Sequence, residues 1–129
     1  MINNKTILIV DDSAMIRRIV SQLVRQLGYQ ATAVENGQQG VETAIATGPD
    51  MIIMDIEMPV LDGIQATRQL KADQRTASIP VIFFTSLGSE ENISQAKAVG
   101  GDGFLNKPIC REELSKTVNS FFSQEMPQS

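Results

Sequence analysis

The chain contains no histidine. A mechanism that needs an imidazole base, an imidazole metal ligand or a phosphohistidine must therefore borrow it from another molecule. Cysteine is nearly absent too. Cys110 stands alone, so no internal disulfide can form, which fits a reducing compartment. No stretch approaches the length of a membrane span, and the polar start Met1-Ile2-Asn3-Asn4-Lys5 is followed by an apolar run too short for a signal sequence. The expectation is a cytoplasmic protein with no membrane partner. Excess positive charge is also missing. With 11 basic against 15 acidic residues the formal net charge is −4, which argues against a nucleic-acid partner. No internal repeat, linker or low-complexity tract interrupts the chain.

What is present is enough for a self-sufficient fold. At 129 residues, 42% hydrophobic and 20% charged, the composition is that of a globular chain. Such a chain buries its own core without staples, and residues 1–129 are read as one domain.

Strand and helix signals alternate five times, which predicts a parallel sheet with helices on both faces. The first strand spans about Thr6 to Val10. A helix follows Ser13, a good N-cap, with Ile16, Ile19, Val20, Leu23, Val24 and Leu27 at helical spacing, and Gly28 ends it. Gln30 to Val34 reads as a shorter, more polar edge strand. Asn36-Gly37 opens the second helix, with Val41, Ala44 and Ile45 inward, and Gly48-Pro49 closes it. Met51 to Met54 is the third strand. A loop starts at Met58-Pro59, and the third helix runs from about Asp62 to Ala72 with Ile64, Thr67 and Leu70 inward. Pro80 to Phe84 is the fourth strand. The fourth helix, about Glu90 to Val99, is the weakest, and Gly100-Gly101 ends it. Gly103 to Asn106 is the fifth strand. The last helix, about Arg111 to Phe122, buries Leu114, Val118 and one of Phe121 and Phe122. The tail Ser123 to Ser129 is polar and expected to fray. Of the common doubly wound orders, 2-1-3-4-5 suits five strands, giving a flavodoxin-like (βα)5 fold.

The strand ends carry the chemistry. Ile7-Leu8-Ile9-Val10 stops at Asp11-Asp12, Met51-Ile52-Ile53-Met54 at Asp55, Val81-Ile82-Phe83-Phe84 at Thr85, and Phe104-Leu105-Asn106 at Lys107-Pro108. In an open α/β sheet, ligands bind outside the carboxyl ends of the strands, so these groups are expected to meet at one edge. Crowded carboxylates repel, and a hard divalent cation with oxygen ligands relieves that repulsion. A carboxylate can attack phosphorus to give an acyl phosphate, with a cation and an ammonium neutralising the charge on the phosphoryl oxygens. Each residue also has a plain reading. Asp12 could cap the first helix, Asp55 could be a turn residue, Thr85 a loop residue, Lys107 a solvated lysine and Phe104 ordinary core. Cys110 is read as a small packing residue near the start of the last helix. Asp62 and Glu90-Glu91 read as helix-start acids that favour the dipole.

Taken together and in order, Ile9-Val10-Asp11-Asp12-Ser13, Met54-Asp55-Ile56-Glu57-Met58-Pro59 with Leu61-Asp62-Gly63, Phe84-Thr85-Ser86 and Gly103-Phe104-Leu105-Asn106-Lys107-Pro108 resemble a two-component response regulator receiver domain. The resemblance covers nearly the whole chain and is to the stand-alone, CheY-like kind, as in chemotaxis. It implies that Asp55 is the phospho-acceptor. Asp11, Asp12, Asp55 and the backbone carbonyl of Glu57 would hold Mg²⁺, and Thr85 and Lys107 would grip the phosphoryl group. Thr85 and Phe104 would form the switch, and the Lys107-Pro108 bond would be cis. The implied partners are a histidine kinase or phosphotransfer protein and a downstream output protein that reads the fourth helix, fifth strand and fifth helix. The implied role is a monomeric phospho-acceptor switch rather than an enzyme acting on a separate substrate.

Two residues depart from the chemotaxis regulator. Glu57 stands where it has a neutral residue, in an Asp-Ile-Glu-Met-Pro sequence similar to the receiver half of chemotaxis methylesterases. Leu87 stands where it has an acid. Both flank the path that the resemblance implies for attacking water. Alternatives are a receiver fragment of a longer regulator, a phosphorelay intermediate, or a Mg²⁺-dependent aspartyl-phosphate phosphatase. The last would need a cap over its substrate pocket and an acid two residues past the nucleophile, where this chain has Glu57. A flavodoxin-like FMN carrier would need a hydroxyl- and Gly-rich loop in place of Asp11-Asp12.

Overall fold

A computed structural model describes residues 5–85 and 90–122, with the side chains of 90–92 excepted. Five strands alternate with five helices: β1 (Thr6–Val10), α1 (Ala14–Gln26), β2 (Gln30–Val34), α2 (Gly37–Thr47), β3 (Met51–Asp55), α3 (Gly63–Ala72), β4 (Val81–Thr85), α4 (Glu90–Ala98), β5 (Gly103–Asn106) and α5 (Arg111–Phe122). The strands form one parallel sheet in the order β2-β1-β3-β4-β5. The flavodoxin-like (βα)5 expectation is met, with β2 at an edge.

The central strands are apolar because both their faces are covered. Alternate residues feed two cores. Leu8, Val10, Ile52, Met54, Val81 and Phe83 pack with α2, α3 and α4. Ile7, Ile9, Met51, Ile53, Ile82 and Phe84 pack with α1 and α5, where Leu114, Val118 and Phe122 are buried. Phe122, not Phe121, is therefore the more buried of that pair, and it meets the Tyr29 ring edge-on at 5.2 Å.

Helix ends follow local chemistry. The hydroxyl of Ser13 accepts from the Ile16 amide, Asn36 Oδ1 from the Gln39 amide and Asp62 Oδ1 from the Gln65 amide, so each caps its helix. Asp12 does not cap α1; that role is taken by Ser13. Gly28 and Gly48 take positive φ at the ends of α1 and α2. Two strands run one residue further than their apolar runs, because Asp55 pairs with Phe84 and Thr85 with Asn106. β4 starts at Val81 rather than Pro80, and α4 stops at Ala98. The expected roles of Leu87, of the Glu90 and Glu91 side chains and of the tail lie outside the described residues. Cys110 corrects an expectation: it is exposed, and it contributes its carbonyl to the Leu114 amide rather than packing.

At the amino end of the sheet, Lys71 gathers three acceptors. Its Nζ donates to the carbonyls of Ala77 (3.2 Å) and Ile79 (2.8 Å) and to Asp102 Oδ2 (3.0 Å). Asp102 Oδ2 also accepts from the Val81 amide at 2.8 Å. The starts of β4 and β5 are thereby tied to the end of α3.

Candidate functional site

The opposite, carboxyl end of the sheet collects the residues singled out above. β1 delivers Asp11, which is 1% exposed; β3 delivers Asp55, 6% exposed; β4 delivers Thr85, 5% exposed. Asp12 is exposed at the rim. One ligand atom from each of Asp11, Asp12 and Asp55 lies within 4.8 Å of the others. Asp11 is oriented by its neighbours. Its Oδ1 accepts from the Ser13 amide at 2.9 Å, and its own amide donates to the Val34 carbonyl. Sequence reasoning missed Arg17, whose guanidinium donates to the Asp11 carbonyl at 2.8 Å. Its only signal was its place one turn into α1.

Lys107 reaches into the same cleft. The Lys107-Pro108 bond is cis, as expected, and the Lys107 amide donates to the Thr85 carbonyl at 2.8 Å. Nζ stands 3.0 Å from Asp11 Oδ2, 3.4 Å from Asp55 Oδ1 and 5.2 Å from the centre of the Phe84 ring. Burial pulls its pKa down, but the ion pairs with Asp11 and Asp55 outweigh this and raise it above the ordinary lysine value. Asp55 is raised as well. Burial first, then the Asp11 carboxylate, lifts its pKa from 3.8 to about 6, against the lowering effect of Lys107.

This donor set fits a hard divalent cation. Three carboxylates converge, one ammonium does not neutralise them, and burial together with the Asp11 carboxylate holds Asp55 above its ordinary pKa. The loop after β3 closes over the site without a bulky side chain at two points. The Gly63 amide donates to the Ile56 carbonyl and the Gly37 amide to the Leu61 carbonyl. A Cβ at Gly63 would strike the Asp55 carbonyl, and one at Gly37 the Leu61 carbonyl. Between them Val60 has φ of 71° and is 79% exposed, at the centre of a γ-turn in which the Leu61 amide donates to the Pro59 carbonyl. Glu57 is exposed at the mouth.

Phe104 lies one side of β5 from the cleft. Its ring is half-buried and stacks on Phe83 at 5.9 Å with 20° between the planes, and Lys97 Nζ of α4 stands 5.9 Å from its centre. Neither contact was anticipated from sequence.

Residues 7–119 match the family described as Response regulator receiver domain. The chain belongs to the receiver domain family. It is 42% identical over 114 residues to protein PilH of Pseudomonas aeruginosa, covering 88% of this chain and 94% of PilH. It is 34% identical to the chemotaxis protein CheY of Halobacterium salinarum, covering 89% and 94%. It is also 40% identical to the phosphate regulon transcriptional regulatory protein PhoB of P. aeruginosa, of which it spans 54%. Among solved structures it resembles the receiver domain of a P. aeruginosa sensor histidine kinase that holds a magnesium ion in its active-site cleft. There the TM-score is 0.87 at 30% identity, covering 94% of this chain and 99% of that one. Vibrio cholerae CheY4 matches with TM-score 0.87 at 31% identity, covering 92% and 99%. Receiver domains are phospho-acceptor switches of two-component and chemotaxis signalling. Among the described residues, no helix is long and apolar enough to cross a membrane.

Proposed function

We propose that this receiver domain is a cytoplasmic, monomeric switch that takes a phosphoryl group onto Asp55 from a partner's phosphohistidine. The observation that carries the reading is the convergence of Asp11, Asp12 and Asp55 on one point, with Lys107 between Asp11 and Asp55. A Asp55 oxygen attacks phosphorus as the P–N bond of the donor breaks, its electron pair returning to the donor imidazole. Asp11, Asp12, Asp55 and the Glu57 carbonyl would hold Mg²⁺, which supplies charge neutralisation to the transferring oxygens. Lys107 contributes a second positive charge and Thr85 a hydroxyl from the adjoining strand end. Thr85 and Phe104 then report the modification to an output protein on the face of α4, β5 and α5, by shifting an existing equilibrium. Coupling of ~1–3 kcal/mol suffices for such a shift.

The test is phosphotransfer from radiolabelled histidine kinases of the host to the wild-type chain and to Asp55→Asn. The reading expects acid-stable but base-labile label on the wild type only. Turnover of a simple phosphate ester without accumulation of label would favour the phosphatase alternative instead.

A further inference from the structure

The edge strand β2 carries none of the usual guards. Its sequence, Gln30-Ala31-Thr32-Ala33-Val34, has no charge, proline or bulge, although an open edge is a template for another strand. The phase of its ladder is fixed at both ends. The Gln30 amide donates to the Lys5 carbonyl, and the Val34 carbonyl accepts from the Asp11 amide. Backbone groups alternate sides along a strand, so residues 30, 32 and 34 face β1 while the amides and carbonyls of Ala31 and Ala33 face the open edge.

A groove of about 360 Å³ runs beside this edge, lined by Arg17, Arg18, Ser21, Gln22, Arg25 and Ala33. Helix α1 has three arginines and no acid, in a chain whose net charge is −4. The small side chains of Ala31 and Ala33 leave the groove open on the strand side. Positive charge therefore lies next to backbone that is unpaired among the described residues, at the edge of the sheet opposite β5.

We propose that β2 and the α1 arginines form a docking site for an extended, acidic segment of a partner protein, which adds as a sixth strand. Main-chain hydrogen bonds to Ala31 and Ala33 supply affinity, and every second side chain, being acidic, meets Arg18 or Arg25. This goes beyond the phospho-acceptor reading and does not depend on it.

The test is titration of the isotopically labelled full chain with an acetylated, amidated peptide of alternating Glu and Val, followed by NMR. Saturable shifts and slowed amide exchange are expected at Ala31 and Ala33. Arg18→Glu with Arg25→Glu should weaken binding on the order of tenfold or more, equivalent to ~1.4 kcal/mol. Ala33→Pro removes an outward amide and no bond to β1, so it should abolish binding while the spectrum stays folded. Absence of saturable shifts on β2, or equal binding of a matching peptide of alternating Lys and Val, would overturn the proposal. So would a concentration-dependent doubling of mass that already protects these amides, because the edge would then belong to a second copy.

Discussion

Lys107 sits nearer to Asp11 than to Asp55, with Nζ at 3.0 Å from the first and 3.4 Å from the second. One ammonium is thus divided between two buried carboxylates, and Asp55, the proposed acceptor, receives the weaker share. Burial and the Asp11 carboxylate outweigh that share and leave Asp55 with its pKa raised to about 6.

The first consequence is a pH dependence of stability without divalent cations. Below the ordinary value of 3.8 the Asp55 carboxyl is protonated in folded and unfolded chains alike, and above about 6 it is ionised in both. Between these limits the folded chain holds the extra proton, so stability falls as pH rises. The loss contributed by this group is at most about 3 kcal/mol for a shift from 3.8 to about 6. Urea denaturation in EDTA at stepped pH should show the decline, and Asp55→Asn should flatten it.

Magnesium should reverse that penalty. A cation bound only by the folded chain stabilises it by mass action, by about 2.7 kcal/mol at a hundredfold excess over Kd. Thermal unfolding should shift upward with millimolar Mg²⁺ in the wild type and much less in Asp12→Ala. A melting temperature indifferent to the ion would remove the metal from the proposal.

Gly63 predicts a steric dependence of the acceptor. Its missing Cβ leaves room for the Asp55 carbonyl and the Met54 side chain. Gly63→Ala should cost about 1–3 kcal/mol of stability by overpacking. It should also slow labelling of Asp55 by acetyl phosphate, because the backbone that must yield is that of the proposed acceptor itself. Unchanged stability would mean that the loop relaxes freely.

Val60 offers the opposite sign. A β-branched residue at φ of 71° is strained by ~1–3 kcal/mol, which exceeds the ~0.4–1 kcal/mol entropic cost of glycine. Val60→Gly should therefore stabilise the chain by about 1 kcal/mol, read from the denaturant midpoint. A lower midpoint at unchanged m-value would refute the strain.

Glu57 bears on the lifetime of the phosphorylated form. A carboxylate near the phosphoryl group repels hydroxide or polarised water, on the order of 4 kcal/mol at 4 Å for an effective dielectric of 20, before solvent relaxation reduces it. Glu57→Asn should therefore lose its phosphoryl group faster than the wild type. Slower loss would show that the glutamate assists the attacking water.

The sequence was legible where one physical signal dominated. β2 and β5 were bounded by turn residues and came out at Gln30–Val34 and Gly103–Asn106, and Ser13, Asn36 and Asp62 cap their helices as their side chains predict. The strand ends gathered Asp11, Asp12, Asp55, Thr85 and Lys107 because parallel order alone forces them to one edge. What depended on three-dimensional contact was not legible. Cys110 faces solvent because its place before α5 is set by the turn through Pro108, not by its apolarity. The positive φ of Val60 arises from closure of the loop between Gly37 and Gly63, against the preference of valine. Lys97 over Phe104 joins two elements that no local pattern relates.

Lys71 has a mechanical meaning. By holding Ala77, Ile79 and Asp102 together it clamps β4 and β5 at the end remote from the carboxylate cluster. Those two strands are five and four residues long, so each behaves as a short lever with a fixed root. Thr85 and Asn106 stand at the opposite ends of these strands, as a register pair. A pull on Thr85 cannot be dissipated by sliding the strand toward its start. In the proposed switch its displacement is expected to pass sideways, across the register pair to β5.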